Sequence, residues 1–284
     1  GGAAAGGRAG GTGRRLQLER ILMKVSIVTA AYNSESTIAD TLRTINFQTY
    51  PDIEHIVVDG ASRDGTLRVV EAEGKRLARV ISGRDKGIYD AYNKGLALVT
   101  GEIIGFLNSD DLYCAPDVIE RVARAFADPA VEAVYADLVY VDRDDIGRIV
   151  RHWRSRPVDE RTLRRGVVPA HPTLFVRKSV YDRYGLFDLG YRLAADFEFM
   201  YRIFYKHRVR SVYLPEILVK MRIGGATGES IASIRRQNDE ILRAMRQYGV
   251  HVGLVNFFGH KIVDRIAQRV RARFVRLDEG TVAA

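Results

Sequence analysis

Cysteine is nearly absent. Cys114 is the only one in 284 residues, so no internal disulfide can form and a small bridge-held secreted scaffold is excluded. That shortage fits a reducing compartment. Long hydrophobic runs are missing too: no window of about eighteen uninterrupted apolar residues occurs, so no membrane-spanning helix is expected. No hydrophobic segment of a secretory signal follows the early arginines. Bulky side chains are scarce at the start, where GGAAAGGRAGGTGRR is almost all glycine and alanine. Such a stretch has nothing to bury, and residues 1–22 are expected to be a disordered leader or a misassigned start ahead of Met23. Acidic residues fall short of basic ones, 35 Asp and Glu against 44 Lys and Arg, for a net charge of +9. A surplus of that size points to an anionic partner, whether nucleic acid, a phosphorylated ligand or an acidic lipid surface. Nucleic-acid binders gather such charge with exposed aromatics in a recognisable module, and none is present, so no nucleic-acid partner is expected.

What is present reads as a globular chain long enough for one large or two small domains with a real core, 46% hydrophobic and 28% charged. From Met23 the pattern alternates. Short apolar runs at 25–31, 53–58, 79–82 and 102–107 predict buried parallel strands, and segments with helical spacing at 36–48, 65–75 and 88–99 lie between them. This alternation predicts an α/β fold with a mostly parallel, Rossmann-like sheet and helices on both faces. After a helix at 116–127 the rhythm changes. Segments 131–141 and 146–152 predict a hairpin, 172–176 a short strand, 197–205 an aromatic-rich helix, and 211–214 and 217–222 edge strands. From about 230 to 277 the chain reads as helical and basic. The expected division is an alternating strand–helix half at 23–128, a second half of different rhythm at 129–228, and a basic helical segment at 229–284.

In doubly wound sheets ligands sit beyond the carboxyl ends of the strands. Polar residues gather at those ends here: Tyr32 and Asn33 after the first strand, Asp59 at the second, Arg84 and Asp85 after the third, Asp110 and Asp111 after the fourth. Packing alone does not account for four such ends. Asp110 and Asp111 are the candidate ligands for a hard divalent cation, Mn2+ or Mg2+, which takes carboxylate oxygen and commonly shares a substrate diphosphate. A solvated turn would look the same in isolation. Asp59, flanked by Gly60, Ser62 and Gly65, is either a turn residue or a carboxylate that meets a nucleobase or ribose. In the second half, Asp196 opens a predicted helix, where the helix N-terminus favours a carboxylate. It is a candidate functional carboxylate, with an ordinary N-cap as the alternative, and Glu198 is second choice. His171, ahead of Pro172, and Trp153, the single tryptophan, are candidate acceptor or phosphate contacts; core packing would explain both equally.

The string IVTAAYNSESTIADTLRTINFQTYPDIEHIVVDGASRDGT, followed by GRDKGIYDAYNKGLALVTGEIIGFLNSDD, resembles a family 2 glycosyltransferase of the GT-A fold, of the kind that builds bacterial cell-surface polysaccharides and glycolipids. The likeness runs over roughly residues 23–225. It implies an inverting, metal-dependent transfer from a UDP-, GDP- or dTDP-sugar to an acceptor glycan or polyprenyl-linked glycan. It implies that Ala30, Tyr32, Asn33 and Asp59 hold the nucleoside, and that Arg84, Asp85, Lys86 and Gly87 close over the donor. Asn108 to Asp111 occupies the place of the family's DXD-type motif, with Asn108 where an aspartate is usual. Asp110 then falls on the ribose or metal side, Asp111 is the direct metal ligand, and Asp196 matches the catalytic aspartate. Large processive synthases of similar fold carry membrane spans and acceptor motifs that are missing here, which implies transfer of a single sugar.

Toward the C-terminus, apolar residues recur at Leu254, Phe258, Ile262, Ile266, Val270 and Phe274, interleaved with Lys261, Arg265, Arg269, Arg271, Arg273 and Arg276. Such a helix either lies on an anionic membrane surface or packs on the catalytic domain with its arginines solvated. The first reading implies a cytoplasmic enzyme, peripheral on the inner face of the cell membrane. Two other functions compete. A nucleotidyltransferase would be expected to carry a glycine-rich phosphate loop with a basic residue after the first strand, and residues 32–37 have neither. A degenerate nucleotide-sugar-binding protein would not be expected to keep Asp59, Asp110, Asp111 and Asp196 together.

Overall fold

The computed structural model describes residues 23–224, 231–275 and 277; the expected leader at 1–22 and Arg276 lie outside them. Strands β1 (Val25–Ala31), β2 (Ile53–Asp59), β3 (Leu77–Ser82) and β4 (Ile103–Phe106) alternate with helices α1 (Ile38–Asn46), α2 (Thr66–Glu73) and α3 (Ile88–Leu96). They pair in parallel in the order β3-β2-β1-β4. The second half adds β5 (Leu112–Tyr113), α4 (Val118–Ala125), β6 (Ala133–Val141), β7 (Ile149–Trp153), α5 (Glu160–Arg164), β8 (Phe175–Arg177), α6 (Lys178–Tyr184), α7 (Ala195–Tyr201) and β9 (Ser211–Arg222). Helices α8 (Ile231–Gln247) and α9 (Leu254–Ala272) follow.

Period-two alternation along β1 decides which helices cover which face. Val28 and Ala30 share a core cluster with Tyr89, Tyr92 and Leu96 of α3, extended by residues of α6, α7 and α8. Val25 and Ile27 belong to the opposite cluster, with Ile45 of α1 and Val118 and Val122 of α4. Gly95 lets α3 approach the sheet closely, because a Cβ there would stand 2.4 Å from Cγ1 of Val28.

Parallel pairing gives way beyond β4, so the sheet as a whole is mixed. β8 runs antiparallel to both β4 and β6, β9 is parallel to β6, and β5 is antiparallel to β9. β7 forms the expected hairpin with β6. Three expectations need correction. The segment at 172–176 starts with a 3-10 turn (His171–Thr173), because Pro172 has no N–H for a ladder, and only Phe175–Arg177 is strand. The aromatic helix ends at Tyr201 and continues as a π turn, Arg202–Lys206. The two expected edge strands are one strand, β9, which lies between β6 and β5; the ladder skips Pro215 and Glu216 at a register shift, where the missing proline N–H is tolerated. Among the described residues no helix is long and apolar enough to cross a membrane.

Candidate active site

The register of the parallel strands aligns their carboxyl ends: Ala31 stands opposite Asp59, and Asp59 opposite Ser82. Ala30 is buried within β1, and Tyr32, the next exposed side chain, stands 62% exposed at the strand end. Asn33 and Ala61 adopt positive φ, 49° and 62°, so the chain reverses sharply on both sides of this crevice. The Asn33 side chain accepts from the Arg63 amide at 2.9 Å, and its own amide donates to Ser62 Oγ at 2.8 Å. Asp59 is fully buried and holds this turn: it accepts from the Ser62 amide at 3.0 Å, from Ser82 Oγ at 2.6 Å, and from the Ser62 hydroxyl.

The loop before α3 closes on the same place. A Cβ on Gly60 would stand 2.7 Å from Oδ2 of Asp85 and 3.3 Å from the Tyr32 ring, so these three residues converge. Asp85 accepts from the Gly87 amide at 2.9 Å, the Lys86 amide donates to Asp90 at 3.0 Å, and Lys94 Nζ donates to the Arg84 carbonyl at 2.8 Å. Gly87, at φ 118°, is the N-cap of α3, a conformation that glycine reaches without strain. Arg84 and Lys86 keep exposed side chains above this frame.

Asp110 and Asp111 follow β4 in a loop held from several sides. Thr41 Oγ1 donates to the Asp111 carbonyl at 2.8 Å, Ser34 and Ser109 hydroxyls meet at 2.8 Å, and Arg222 donates to the Asp110 carbonyl at 3.1 Å while pairing with Asp40. Asn108 Nδ2 donates to Asp111 Oδ2 at 3.1 Å. The other oxygen, Oδ1 of Asp111, is buried with no hydrogen-bond partner. Burial raises the pKa of Asp110. Burial and the neighbouring Asp110 charge hold Asp111 well above the usual carboxylate range. A buried carboxylate pair with one unanswered oxygen fits a hard divalent cation. Among the described residues no group of three or more His, Cys, Asp or Glu forms a complete site, so the remaining ligands would have to come from substrate oxygen and water.

Asp196 lies in the first turn of α7, half-buried, and its Oδ1 accepts from the Tyr89 hydroxyl at 2.8 Å. One turn further along α3, the Tyr92 hydroxyl donates to Oδ1 of Asn108, the residue that orients Asp111. One face of α3 therefore reaches both carboxylate centres, with the two tyrosine rings 6.0 Å apart. Burial raises the Tyr92 hydroxyl well above its ordinary value, and the charges of Asp111, Asp196 and Asp110 add to that rise. The backbone entering α7 is fixed from outside: Glu240 of α8 accepts from the amides of Arg192, Leu193 and Ala194 at 3.1, 2.7 and 3.0 Å.

His171 is buried in an aromatic cage, 5.7 Å from Tyr92, 5.5 Å from Phe106 and 5.6 Å from Phe187. Burial lowers its pKa and the Asp196 charge opposes that, so it lies near the carboxylates as a neutral ring at ordinary pH. Glu198 is not brought to the site; it is buried against Arg202 at 2.9 Å and the Tyr248 hydroxyl at 2.6 Å. Trp153 is half-buried at the end of β7 and stacks on Tyr140 of β6, with ring centroids 6.5 Å apart, in keeping with a packing role. Tyr89, Tyr92, Arg222 and Glu240 were not singled out from the sequence. Only their positions within strings already of interest, in the case of the tyrosines, could have marked them. A separate cavity of about 880 Å³, lined in part by Cys114, Asp137, His152, Arg154 and Arg271, contains none of these residues.

A parallel half-sheet that presents nucleotide-type turns and an acid pair at its carboxyl edge, extended by a mixed half that supplies a further carboxylate, is the architecture of GT-A glycosyltransferases. Residues 26–185 match the model of glycosyl transferase family 2. The chain belongs to that family, and it is a glycosyltransferase. It is 31% identical over 209 residues to a PGL/p-HBAD biosynthesis glycosyltransferase of Mycobacterium bovis, a match covering 72% of this chain and 79% of the relative. Among solved structures, it resembles the mannosyltransferase PcManGT from Pyrobaculum calidifontis in complex with GDP-Man and Mn2+, with a TM-score of 0.62, 19% identity and coverage of 93% of this chain and 83% of that one. It resembles S. aureus TarS 1-349 in complex with UDP-GlcNAc to the same TM-score, 0.62, at 20% identity, covering 89% of this chain and 73% of that one.

Proposed function

We propose that this chain transfers one sugar, with inversion, from a nucleotide-diphosphate sugar to a hydroxyl of a glycan or polyprenyl-linked glycan acceptor. The observation that carries this reading is the pair of hydrogen bonds from one face of α3, Tyr89 to Asp196 and Tyr92 to Asn108 beside Asp111. They join the Asp196 carboxylate to the acid pair in one rigid frame. Tyr32 and the turns set by Asn33 and Asp59 receive the nucleoside, and Arg84 and Lys86 reach its diphosphate from the loop above. A divalent cation, Mn2+ or Mg2+, held by Asp111 and Asp110 would neutralise charge that builds on the departing diphosphate. Asp196 takes the proton from the acceptor hydroxyl as its oxygen bonds to the anomeric carbon and the bond to the diphosphate breaks. The hydroxyl of Tyr89 keeps that carboxylate aimed.

The similarity to a relative named for PGL/p-HBAD biosynthesis supports a polysaccharide or glycolipid pathway, and the exposed apolar row beside the arginines of α9 supports an enzyme peripheral at the cytoplasmic face of the membrane. Release of nucleotide diphosphate from a panel of UDP-, GDP- and dTDP-sugars, with Mn2+, Mg2+ or EDTA, tests the core of this reading. Metal-dependent turnover of one donor that is lost in Asp111→Ala and Asp196→Ala supports it. Binding without turnover under every condition would instead identify a degenerate nucleotide-sugar-binding protein.

A further inference from the structure

The last helix, α9, wears its apolar side outward. It lies against β7, and its inward positions include Phe257, 1% exposed, but also Lys261, Asp264 and Ala272. The polar groups on that side are answered. Lys261 Nζ donates to Asn238 at 2.6 Å and sits 4.3 Å from the Phe257 ring centroid, and Asp264 accepts from Arg156 at 3.1 Å. On the opposite side Ile262 is 59% exposed, Val263 65%, Ile266 58% and Val270 50%. At 3.6 residues per turn these four fall within an arc of about 100°. A surface helix normally turns such an arc toward the core. Single exposed aliphatics need no explanation, but a continuous row on one helix does.

Exposed Arg265 and Arg269 border the row, and exposed Arg273 caps its end. Among the described residues, no carboxylate lies within ion-pair distance of any of the three. Two copies of this face packed together would set uncompensated arginines against one another. An anionic bilayer answers both features, with acyl chains for the row and headgroups for the arginines. We propose that α9 is a membrane-docking element that lies in the interface of an anionic bilayer, Ile262, Val263, Ile266 and Val270 toward lipid.

The basic flank also lies near β7. Arg265 and Arg269 repel Arg151 of β7, whose guanidinium lies 3.5 Å over the Tyr140 ring, and Tyr140 in turn lies in the field of Asp111. Resting on the transferase reading in this respect alone, the acceptor class that such docking serves is a saccharide or alcohol anchored in the membrane through a phosphate-bearing lipid.

Sedimentation of the full chain with vesicles of phosphatidylcholine alone, or with a third phosphatidylglycerol, tests the proposal. The chain should bind the anionic vesicles, bind the neutral ones weakly, and be released by salt. Ile262→Asp with Ile266→Asp should lower vesicle affinity on the order of a hundredfold, from about tenfold for each apolar side chain kept out of lipid. Arg265→Glu with Arg269→Glu should lower it at least about tenfold and flatten the salt dependence. Both double variants should release nucleotide diphosphate from a soluble donor at the wild-type rate. No vesicle binding by the wild type, or binding unchanged in the variants, overturns the proposal. So does an apolar variant that instead dissociates a dimer in gel filtration. Vesicle binding in a chain that turns over no donor would leave docking standing and sink the transferase mechanism alone.

Discussion

Replacing Tyr89 by Phe removes one oxygen and little else. The ring stays where it packs, 6.0 Å from Tyr92 and 5.8 Å from Phe187, so the fold should tolerate the change. What disappears is the 2.8 Å hydrogen bond to Oδ1 of Asp196. A hydrogen bond to a charged group contributes about 1.5–3 kcal/mol, so a base held in place by this one should lose about 10- to 100-fold in kcat when it is freed to swing. Donor KM should stay within about twofold, because the ring keeps its packing on Tyr92 and Phe187 and the backbone of the loop before α3 is unchanged. Asp196→Ala should cost about 100- to 10,000-fold, the usual range for removing a general base. The decisive measurement is the double variant. If Tyr89 acts only through Asp196, then Tyr89→Phe should change nucleotide diphosphate release by less than about twofold in the Asp196→Ala background. Equal losses in both backgrounds, or an unchanged kcat in the single variant, would refute a positioning role.

Three further outcomes follow from groups already described. Because burial raises Asp110 and Asp111, the stability tied to their protonated forms is complete below the unfolded carboxylate value and is lost as pH rises through the raised values. At pH 7.5, Asp111→Asn should therefore melt above the metal-free wild type, while Mn2+ at about 100 times its Kd should stabilise only the wild type, by about 2.7 kcal/mol; a metal-induced rise in Tm that persists in the variant would count against these ligands. His55 of β2 is fully buried and pushed down to about 3, so it stabilises the fold above its unfolded value near 6.5 and that stability is lost as pH falls toward 3, by at most about 1.4 kcal/mol per pH unit. Urea midpoints for His55→Leu should fall less steeply than wild type between pH 6.5 and 4, and parallel slopes would exclude the residue as the source. Glu240→Ala leaves the amides of Arg192, Leu193 and Ala194 without their acceptor, which should cost about 1–3 kcal/mol by denaturant unfolding and lower kcat more than it raises donor KM.

The parallel half was legible because local signals agree with the global fold there. The apolar run at 25–31 matches β1 residue for residue, and the polar residues at the four strand ends do meet at one edge. The second half was harder, since its strands owe their places to distant partners. The interior position of β9 depends on β6, and nothing within 211–222 announces that neighbour. Pro172 hid a 3-10 turn inside a strand-like string. The shape of the site followed the same divide. Asp110, Asp111 and Asp196 could be picked out by type and context, whereas Glu240, distant in sequence and ordinary in its helix, acts only through three amides on another element. Glu198 shows the converse: next to the site in sequence, it points into the core, because two residues of helix turn a side chain to a different face. The row at Leu254 to Phe274 was visible as a pattern, but only the fold shows that it faces solvent.

Arg222 has a bearing on how such proteins could be recombined. The segment that matches the family ends at residue 185, before Asp196, Arg222 and Glu240. Yet Arg222, the last residue of β9, grips Asp40 and the Asp110 carbonyl on the other side of that border, and Tyr89 reaches across it to Asp196. A hybrid joined at residue 185, with its first part from one relative and its second from another, inherits the strand ends that carry Tyr32, Asp59 and Asp111 from its first parent. The shape of that edge then rests in part with the second parent, through the Arg222 guanidinium, the Asp196 carboxylate and the β9 strand that pairs with Leu112 and Tyr113. The two parts are separable along the chain only as far as contacts of this kind, the β5–β9 pairing and the Asn93–Phe187 hydrogen bonds among them, are carried over together.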